Sequence, residues 1–288
     1  MESYKIFVDL SADITDEITK KYNIGFMPMN YSIDDKEYLS DKFLTEEEMK
    51  RFYQDMKDGK VTKTSQITPF MYKELLKENI ENKDKILYFS LSSGLSSTYN
   101  NAKLVEEELE EDNSDFIFKV VDSLGATGGI GLLAEIAAIN RENGMSLEDN
   151  YKFMVELAKR GEYWFYVDDL KYLKRGGRVS ASKAFIATTL NIKPIMSIND
   201  EGKLFGFGKK IGKKLAAKAL VEKYFETRDE KYSTIYVCHG DDIDSANYVK
   251  KLILEKDSNV NIRMTQICPV IGAHSGPGTV ALCHIGKE

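Results

Sequence analysis

The sequence contains few of the residues from which metal sites, disulfide frameworks and histidine-based catalysis are built. Its 288 residues include only three histidines and three cysteines, and Cys238, Cys268 and Cys283 form no CxxC motif. This spacing favours reduced, packed thiols over disulfides or zinc ligands. No apolar run of about 18 residues predicts a membrane span, and no basic segment followed by an apolar one predicts export. We therefore expect a soluble, cytoplasmic protein.

Basic residues are also fewer than acidic ones. The chain has 40 Lys and Arg against 46 Asp and Glu, and this net charge of -6 argues against a general nucleic-acid binder. Two stretches depart from that balance, KYLKRGGR at 171–178 and KKIGKKLAAK at 209–218. Such runs are either solvated helix faces or a docking surface for an acidic partner or an anionic ligand.

The length and the apolar pattern predict an α/β protein of two domains. Apolar runs at 86–91, 116–121 and 164–167 indicate buried strands with helices between them, which is typical of a parallel sheet covered on both faces. After Gly177 the pattern changes to a helical stretch at 181–190 and a hairpin around NDEGK. We predict domains 1–160, with a parallel sheet and helices on both faces, and 161–288, with a mixed sheet.

Two local predictions concern the first half of the chain. Residues 26–33 have an extended pattern, and TEEEMKRFYQDMKDG has a threonine cap, glutamates in its first turn and a terminal glycine, which together predict a helix. The pair Asp9 and Asp13 could bind a cation, but the sequence favours capping of the helix that begins near Asp13.

Hydroxyl side chains are concentrated in SSGLSSTYNNAK, residues 92–103, where a buried strand gives way to a helix. That end of the strands is where ligands bind in open α/β sheets, and free N–H groups at a helix N-terminus favour an anion. Simple helix capping is the alternative, although capping needs one hydroxyl and this stretch has five.

Nucleotide motifs do not explain this stretch. It has no lysine that would complete a P-loop. GATGGIGLLA at 125–134 matches the letters of a dinucleotide-binding fingerprint. That fingerprint should open directly at the end of a strand and be followed by an acidic residue after a second strand, but here the strand ends near Asp122 and Asp149 falls in a helical stretch. Glycines that allow close helix packing explain this match better.

A serine hydrolase remains an alternative. GLSST at 94–98 is one letter from the G-x-S-x-G nucleophile elbow and also joins a strand to a helix. His239 follows a strand, and His274 lies in the glycine-rich sequence GAHSGPG, predicted as a loop. Either could act as a base, with Asp168 or Asp241 as the acid before His274.

Six motifs, in order along nearly the whole chain, resemble the DegV family: VDLSAD, KTSQITP, SSGLSSTYNNA, VVDS, LKYLKRGGRVS and IGAHSGPGTV. The resemblance implies a two-domain α/β protein that binds a long-chain fatty acid such as palmitate. In many bacteria, such proteins are the fatty-acid-binding subunit, FakB, of a fatty acid kinase. Leu10, Ile67 and Ser97 depart from the usual family letters, with Ser97 standing where the family has glycine.

The resemblance also implies a set of site residues. Thr64 and Ser96 would hold the carboxylate, helped by the backbone N–H of Ser97, while Arg178 would complement its charge and His274 would orient the site.

The same resemblance implies a carrier rather than an enzyme. The fatty acid would lie between the two domains and would be the ligand, with no cofactor. A separate ATP-binding kinase subunit would be the partner, and a transient membrane-surface contact is compatible with that role. The stretches AFIATTL, PIMSI and GGIGLLAEIAAI are candidates for the apolar lining.

Overall fold

The structure is a computed structural model that describes residues 3–112, 115–179 and 191–288. The strands in these ranges are β1 (Lys5–Asp9), β2 (Ile24–Met27), β3 (Met29–Ile33), β4 (Lys36–Ser40), β5 (Thr62–Ser65), β6 (Lys85–Ser90), β7 (Ile117–Asp122), β8 (Gly161–Tyr166), β9 (Ile192–Ile198), β10 (Leu204–Ile211), β11 (Thr234–His239), β12 (Asn261–Gln266) and β13 (Val280–Ile285). The helices are α1 (Asp16–Tyr22), α2 (Glu46–Lys57), α3 (Pro69–Glu81), α4 (Thr98–Glu111), α5 (Gly128–Glu142), α6 (Leu147–Ala158), α7 (Lys171–Arg175), α8 (Lys213–Thr227), α9 (Ile243–Leu254) and α10 (Pro269–Ser275).

A four-stranded parallel sheet organises the first half, in the order β2-β1-β6-β7. Side chains alternate across it. Ile86 and Tyr88 of β6 pack towards α3 and α4, whereas Leu87 and Phe89 pack towards α5 and α6. Burial on both faces explains the continuous apolar run of this strand. The predicted α/β fold class, with helices on both faces of a parallel sheet, is confirmed.

A six-stranded mixed sheet organises the second half, in the order β10-β9-β8-β13-β11-β12. β8 is antiparallel to both of its neighbours, so grouping the 164–167 run with the parallel strands was wrong. Side chains alternate across β8: Trp164 faces the cluster around α8 and α9, while Phe165 faces the other side, towards α5. The predicted hairpin is present as the antiparallel pair β9 and β10, with Gly202 at a positive φ of 71° in its turn.

A smaller antiparallel sheet, β4-β3-β5, lies beside the parallel one. The extended stretch 26–33 is therefore two strands that belong to different sheets, and they separate at Pro28, which has no N–H to give to a ladder. The helix predicted after Thr45 is confirmed as α2, with a complete capping box between Thr45 and Glu48.

α5 packs between the two larger sheets, against β1 and β6 on one side and β11 and β13 on the other. The strands of the parallel and three-stranded sheets all precede residue 161, and those of the mixed sheet begin there. The division into domains 1–160 and 161–288 stays a prediction. None of the helices in the described part of the chain has the length and apolar character that a bilayer crossing needs.

Candidate functional site

The hydroxyls between β6 and α4 have separate partners. Ser92 is fully buried and its Oγ donates to the backbone oxygen of Gly202, 2.8 Å away, which holds the β9–β10 turn against this loop. Ser96 Oγ lies 2.9 Å from Thr98 Oγ1 and accepts from the Thr98 N–H. Ser97 is the N-cap of α4, yet its side chain makes no capping bond. Ser96 Oγ thus serves one N–H at the start of α4, but capping of this helix does not account for the other hydroxyls of the cluster.

A largely apolar cavity runs between the two halves of the chain. Its walls come from the loops after β5 and β6, from α10, and from the inner faces of β8, β10 and β13. Along β13 the lining residues are Ala281 and Cys283, two apart, as the alternation of a strand requires.

Polar residues gather where this cavity meets the surface. A shallow depression beside it is open to solvent, and the two share six lining residues, which we call the mouth: Thr64, Ser65, Gln66, Leu95, Ser96 and Arg178. The cavity is thus largely apolar inside and polar at its opening, which suits a ligand with one anionic end and a long apolar remainder.

Thr64 and His274 form one hydrogen-bonded unit at the mouth. Thr64 Oγ1 lies 2.7 Å from His274 Nε2. Burial, followed by the positive charges of Arg178 and Arg175, lowers the pKa of His274 from 6.5 to about 4, so the ring is neutral at pH 7. His274 Nδ1 is buried and has no partner among the described residues. Leaving Nδ1 without a partner costs less free energy when it carries no proton. This favours the tautomer with the proton on Nε2, which then donates to Thr64 Oγ1.

Arg178 is fixed by backbone oxygens. Its Nε donates to Leu95 O at 3.2 Å and its Nη1 to Gly176 O at 2.5 Å, which holds the guanidinium between the two halves of the chain. Arg175 points elsewhere: its Nη2 donates to Thr62 Oγ1 at 3.1 Å, and it lines neither the cavity nor the depression. Arg178 is therefore a mouth residue and Arg175 a neighbouring surface cation.

Four of the five predicted site residues come together. Thr64, Ser96, Arg178 and His274 line the cavity, whereas Ser97 is exposed and lines only the depression. Their roles stay predictions. The expectation that GAHSGPG is a loop was wrong in its first half, because His274 lies in α10, which begins at Pro269 and places Ile271 and His274 on one face towards the cavity.

The predicted apolar lining was only partly right. PIMSI contributes Ile198, but GGIGLLAEIAAI lies in α5, inside the core between the sheets, and supplies no lining residue. AFIATTL falls outside the described residues. The sequence reasoning missed Phe165, Leu173 and Cys283. Alternation along β8 and β13 could have identified the inward faces, but not which sheet each strand joins.

The hydrolase geometry does not form among the described residues. His274 is bonded to Thr64, and the hydrogen bonds of Ser96 Oγ go to Thr98. Asp168, one candidate acid, is paired with Lys193 at 2.9 Å. Among the hydrogen bonds of the described residues, neither His274 nor His239 contacts Ser96, so neither activates this serine.

Two buried carboxyls lie behind the cavity. Asp13 does not cap α1, whose N-cap is Thr15, so that prediction was wrong. Asp13 instead accepts hydrogen bonds from the hydroxyl of Thr127 and from the N–H of Cys268. Burial raises the pKa of Asp13 to about 7, and Asp9 nearby is raised for the same reason. Thr127 has a positive φ of 53°, rare for a β-branched residue, and it lines the cavity. Asp13 thus secures a strained part of the cavity wall.

Comparisons with known proteins agree along the whole chain. The family model described as "Uncharacterised protein, DegV family" matches residues 3–287. A DegV domain-containing protein of Clostridium perfringens is 35% identical over 289 residues, which covers 99% of this chain and 98% of that one.

Solved structures give the same fold. A Thermotoga maritima protein, whose structure is reported to reveal fatty acid binding function, superposes with a TM-score of 0.83 at 31% identity over 99% of this chain and 100% of that one. The Streptococcus pneumoniae Fatty Acid Kinase (Fak) B3 protein loaded with linoleic acid has a TM-score of 0.84 at 19% identity, over 99% and 100%, and this likeness shows the fold alone. With its family model, its sequence relative and its fold in agreement, the chain belongs to the DegV family.

Proposed function

We propose that the protein binds a long-chain fatty acid, with its tail in the cavity and its carboxylate at the mouth, and presents that carboxylate to a separate kinase subunit. The observation that carries the proposal is the junction of a largely apolar cavity with an open polar depression at six shared residues. The fatty acid binding reported for the Thermotoga maritima neighbour supports the same ligand.

The first step is recognition of the carboxylate by hydroxyls. Either hydroxyl of the Ser96–Thr98 pair can be the donor, and Thr98 Oγ1 also accepts the N–H of Ile67 at 3.4 Å. We assign the Thr98 proton to Ser96 Oγ, which leaves the Ser96 proton for a ligand oxygen. His274 donates through Nε2 to Thr64, and Thr64 in turn donates to the carboxylate. Both hydroxyls are therefore oriented as donors before the ligand arrives, which reduces the ordering cost of binding.

Charge complements these neutral donors. Arg178 lines the mouth, and the backbone N–H of Ser97 lies at the N-terminus of α4, a helix of 14 residues. A positive guanidinium and a helix N-terminus both favour an anion, and hydrogen bonds to a carboxylate are stronger than neutral ones. The ligand thus keeps its charge while it loses part of its hydration.

The tail supplies the strength of binding. Fourteen methylenes, at roughly 0.8 kcal/mol each, would contribute on the order of 11 kcal/mol before ordering costs are subtracted. The contacts at the mouth would then fix the orientation of the ligand and contribute less to its affinity. An acyl-ester hydrolase is the alternative class, and the Ser96 partners described above argue against it.

The second step is presentation to the kinase. A carboxylate at the mouth would remain reachable from the open depression. The kinase subunit would bring ATP, and cations near the mouth would offset the charge that phosphoryl transfer develops. Exposed Lys174 and Arg175, together with Arg178, extend such a surface towards an acidic partner. Because the ligand is a lipid, the proposal includes a transient membrane-surface contact for loading and release.

The binding test combines lipid extraction with matched variants. Mass spectrometry of protein purified under native conditions should find a co-purified fatty acid. Calorimetry should then show weaker fatty-acid binding in Thr64→Val and Ser96→Ala, because each removes one carboxylate donor. Ser258→Ala, an exposed serine that lines neither the cavity nor the depression, is the control. Unchanged affinity in both mouth variants would remove Thr64 and Ser96 from the site.

The presentation test uses charge reversal away from the ligand. Arg175→Glu should lower acyl-phosphate formation in a reconstituted assay with a fatty acid kinase, and should make it more salt-sensitive, while fatty-acid binding falls much less. Lys77→Glu, an exposed lysine on α3, is the matched control. Equal acyl-phosphate formation by Arg175→Glu and Lys77→Glu would refute the docking role.

A further inference from the structure

Ser275 is a buried polar residue that carboxylate recognition does not use. It ends α10, is 6% exposed and lines the cavity, yet its Oγ has no hydrogen-bond partner among the described residues. A buried hydroxyl without a partner is costly, and a ligand group that pairs with it recovers that cost.

Thr279 adds a second polar atom to the same part of the cavity. Its Oγ1 donates to Ser275 O at 2.9 Å and lies 3.0 Å from Gly276 O, so its proton is used within the turn. Thr279 is 1% exposed and lines the cavity, and its hydroxyl oxygen keeps only lone pairs for a further partner. Two residues of the cavity wall thus hold one unused hydroxyl proton, on Ser275, and one unused acceptor, on Thr279.

This pair lies deeper than the mouth. Neither residue, nor His274, borders the open depression, whereas Thr64 borders both spaces and bonds to His274. Beyond Thr279 the floor continues along β13 through Ala281 and Cys283, which are about 7 Å apart along the strand. The order from the surface inwards is carboxylate donors, then the polar pair, then an apolar floor.

We infer that the cavity recognises fatty acids that carry a hydroxyl close to the carboxyl end, such as 3-hydroxy acids, through Ser275 and Thr279. This rests on the proposed function, because it needs the carboxylate at the mouth. The ligand hydroxyl accepts the proton of Ser275 Oγ and donates its own to Thr279 Oγ1. An oxo group can only accept, and a methylene leaves Ser275 unpaired, so the pair selects a hydroxyl.

The test compares three ligands of equal length by calorimetry: hexadecanoate, 3-hydroxyhexadecanoate and 16-hydroxyhexadecanoate. Wild type should bind the 3-hydroxy acid about five- to ten-fold tighter than hexadecanoate, the worth of roughly one hydrogen bond. It should bind the 16-hydroxy acid more weakly, because that hydroxyl would lie against the apolar end. Each enantiomer of the 3-hydroxy acid is measured, since a fixed donor and acceptor fit one configuration.

Ser275→Ala is the decisive variant, because it removes a hydroxyl that bonds to no described residue and so should leave the fold intact. The ratio of 3-hydroxyhexadecanoate affinity to hexadecanoate affinity should fall to about one, and hexadecanoate should itself bind somewhat tighter, because its methylene no longer leaves the Ser275 hydroxyl unpaired. Ser258→Ala should retain the preference. If wild type binds hexadecanoate but shows no preference that Ser275→Ala removes, the inference is overturned and the proposed function stands. If no acid binds wild type, the proposed function itself fails.

Discussion

Replacing Asp13 with asparagine should change how stability depends on pH. The folded protein keeps the Asp13 proton up to a pH of about 7, because burial raises its pKa, whereas the unfolded chain releases it near 3.8. Between these values the folded state binds more protons, so the Asp13 contribution to stability is complete below pH 4 and is lost as pH rises through 7. Asparagine resembles the protonated acid and cannot titrate.

The size of this effect follows from the two pKa values. From pH 5 to pH 8 the contribution of Asp13 falls by about 3 kcal/mol, at 1.36 kcal/mol for each unit of pKa difference sampled. The asparagine side chain can still accept the Cys268 N–H and donate to Thr127, so the cavity wall should survive. The free energy of unfolding of Asp13→Asn should therefore rise relative to wild type by that amount across this range.

Urea denaturation at half-unit steps from pH 5 to pH 8 measures the difference directly. Taking variant minus wild type cancels the titrating groups that do not interact with Asp13, including His274, whose lowered pKa makes stability fall as pH drops from 6.5 towards 4. Asp16→Asn is the matched control, since Asp16 is exposed and pairs with Lys20 on the surface of α1. Parallel wild-type and Asp13→Asn profiles, or an equal slope change in Asp16→Asn, would refute the argument.

Three further predictions follow from individual contacts. In a Cys268→Ser background, bound fatty acid should slow the alkylation of Cys283, which lines the cavity, more than the alkylation of Cys238, which does not. Equal slowing of the two cysteines, measured by mass spectrometry, would contradict the proposed position of the tail. Ser92→Ala should cost about 1–3 kcal/mol in urea denaturation, because it leaves Gly202 O without its donor; a loss as small as that of Ser258→Ala would contradict this. Thr45→Ala should cost about 1 kcal/mol through loss of the capping box, whereas Thr45→Ser should restore most of it.

The sequence predicted elements well where the pattern was local. Thr45 and Glu48 sit three residues apart, so their capping box is visible in the letters, and the hairpin turn needs only its own glycine. The partner of a strand is a different matter. The run at 164–167 is apolar on both faces because α8 covers one and α5 lies beyond the other, and nothing local distinguishes this from burial in a parallel sheet.

The candidate site shows the same limit. Thr64 and His274 are 210 residues apart in the chain, and only family resemblance placed them together. Asp13 was taken for a helix cap because it precedes a helix, yet its partners Thr127 and Cys268 are distant in sequence. Ser275 gave no signal, since a serine beside a glycine in a short polar stretch is ordinary. Its significance comes from burial without a partner, which only the folded structure reveals.

The mouth depends on how the two halves of the chain pack. Ser92 is bonded to Gly202, Thr64 to His274 and Arg178 to Leu95, and each of these contacts joins a residue before position 160 to one after it. A carboxylate held by Thr64, Ser96 and Arg178 would bridge the same division. Binding would then stabilise the packing of the two halves, because a ligand that binds only the assembled mouth shifts the equilibrium towards the assembled state by mass action. Loading and release would then be coupled to that interface rather than to a single loop.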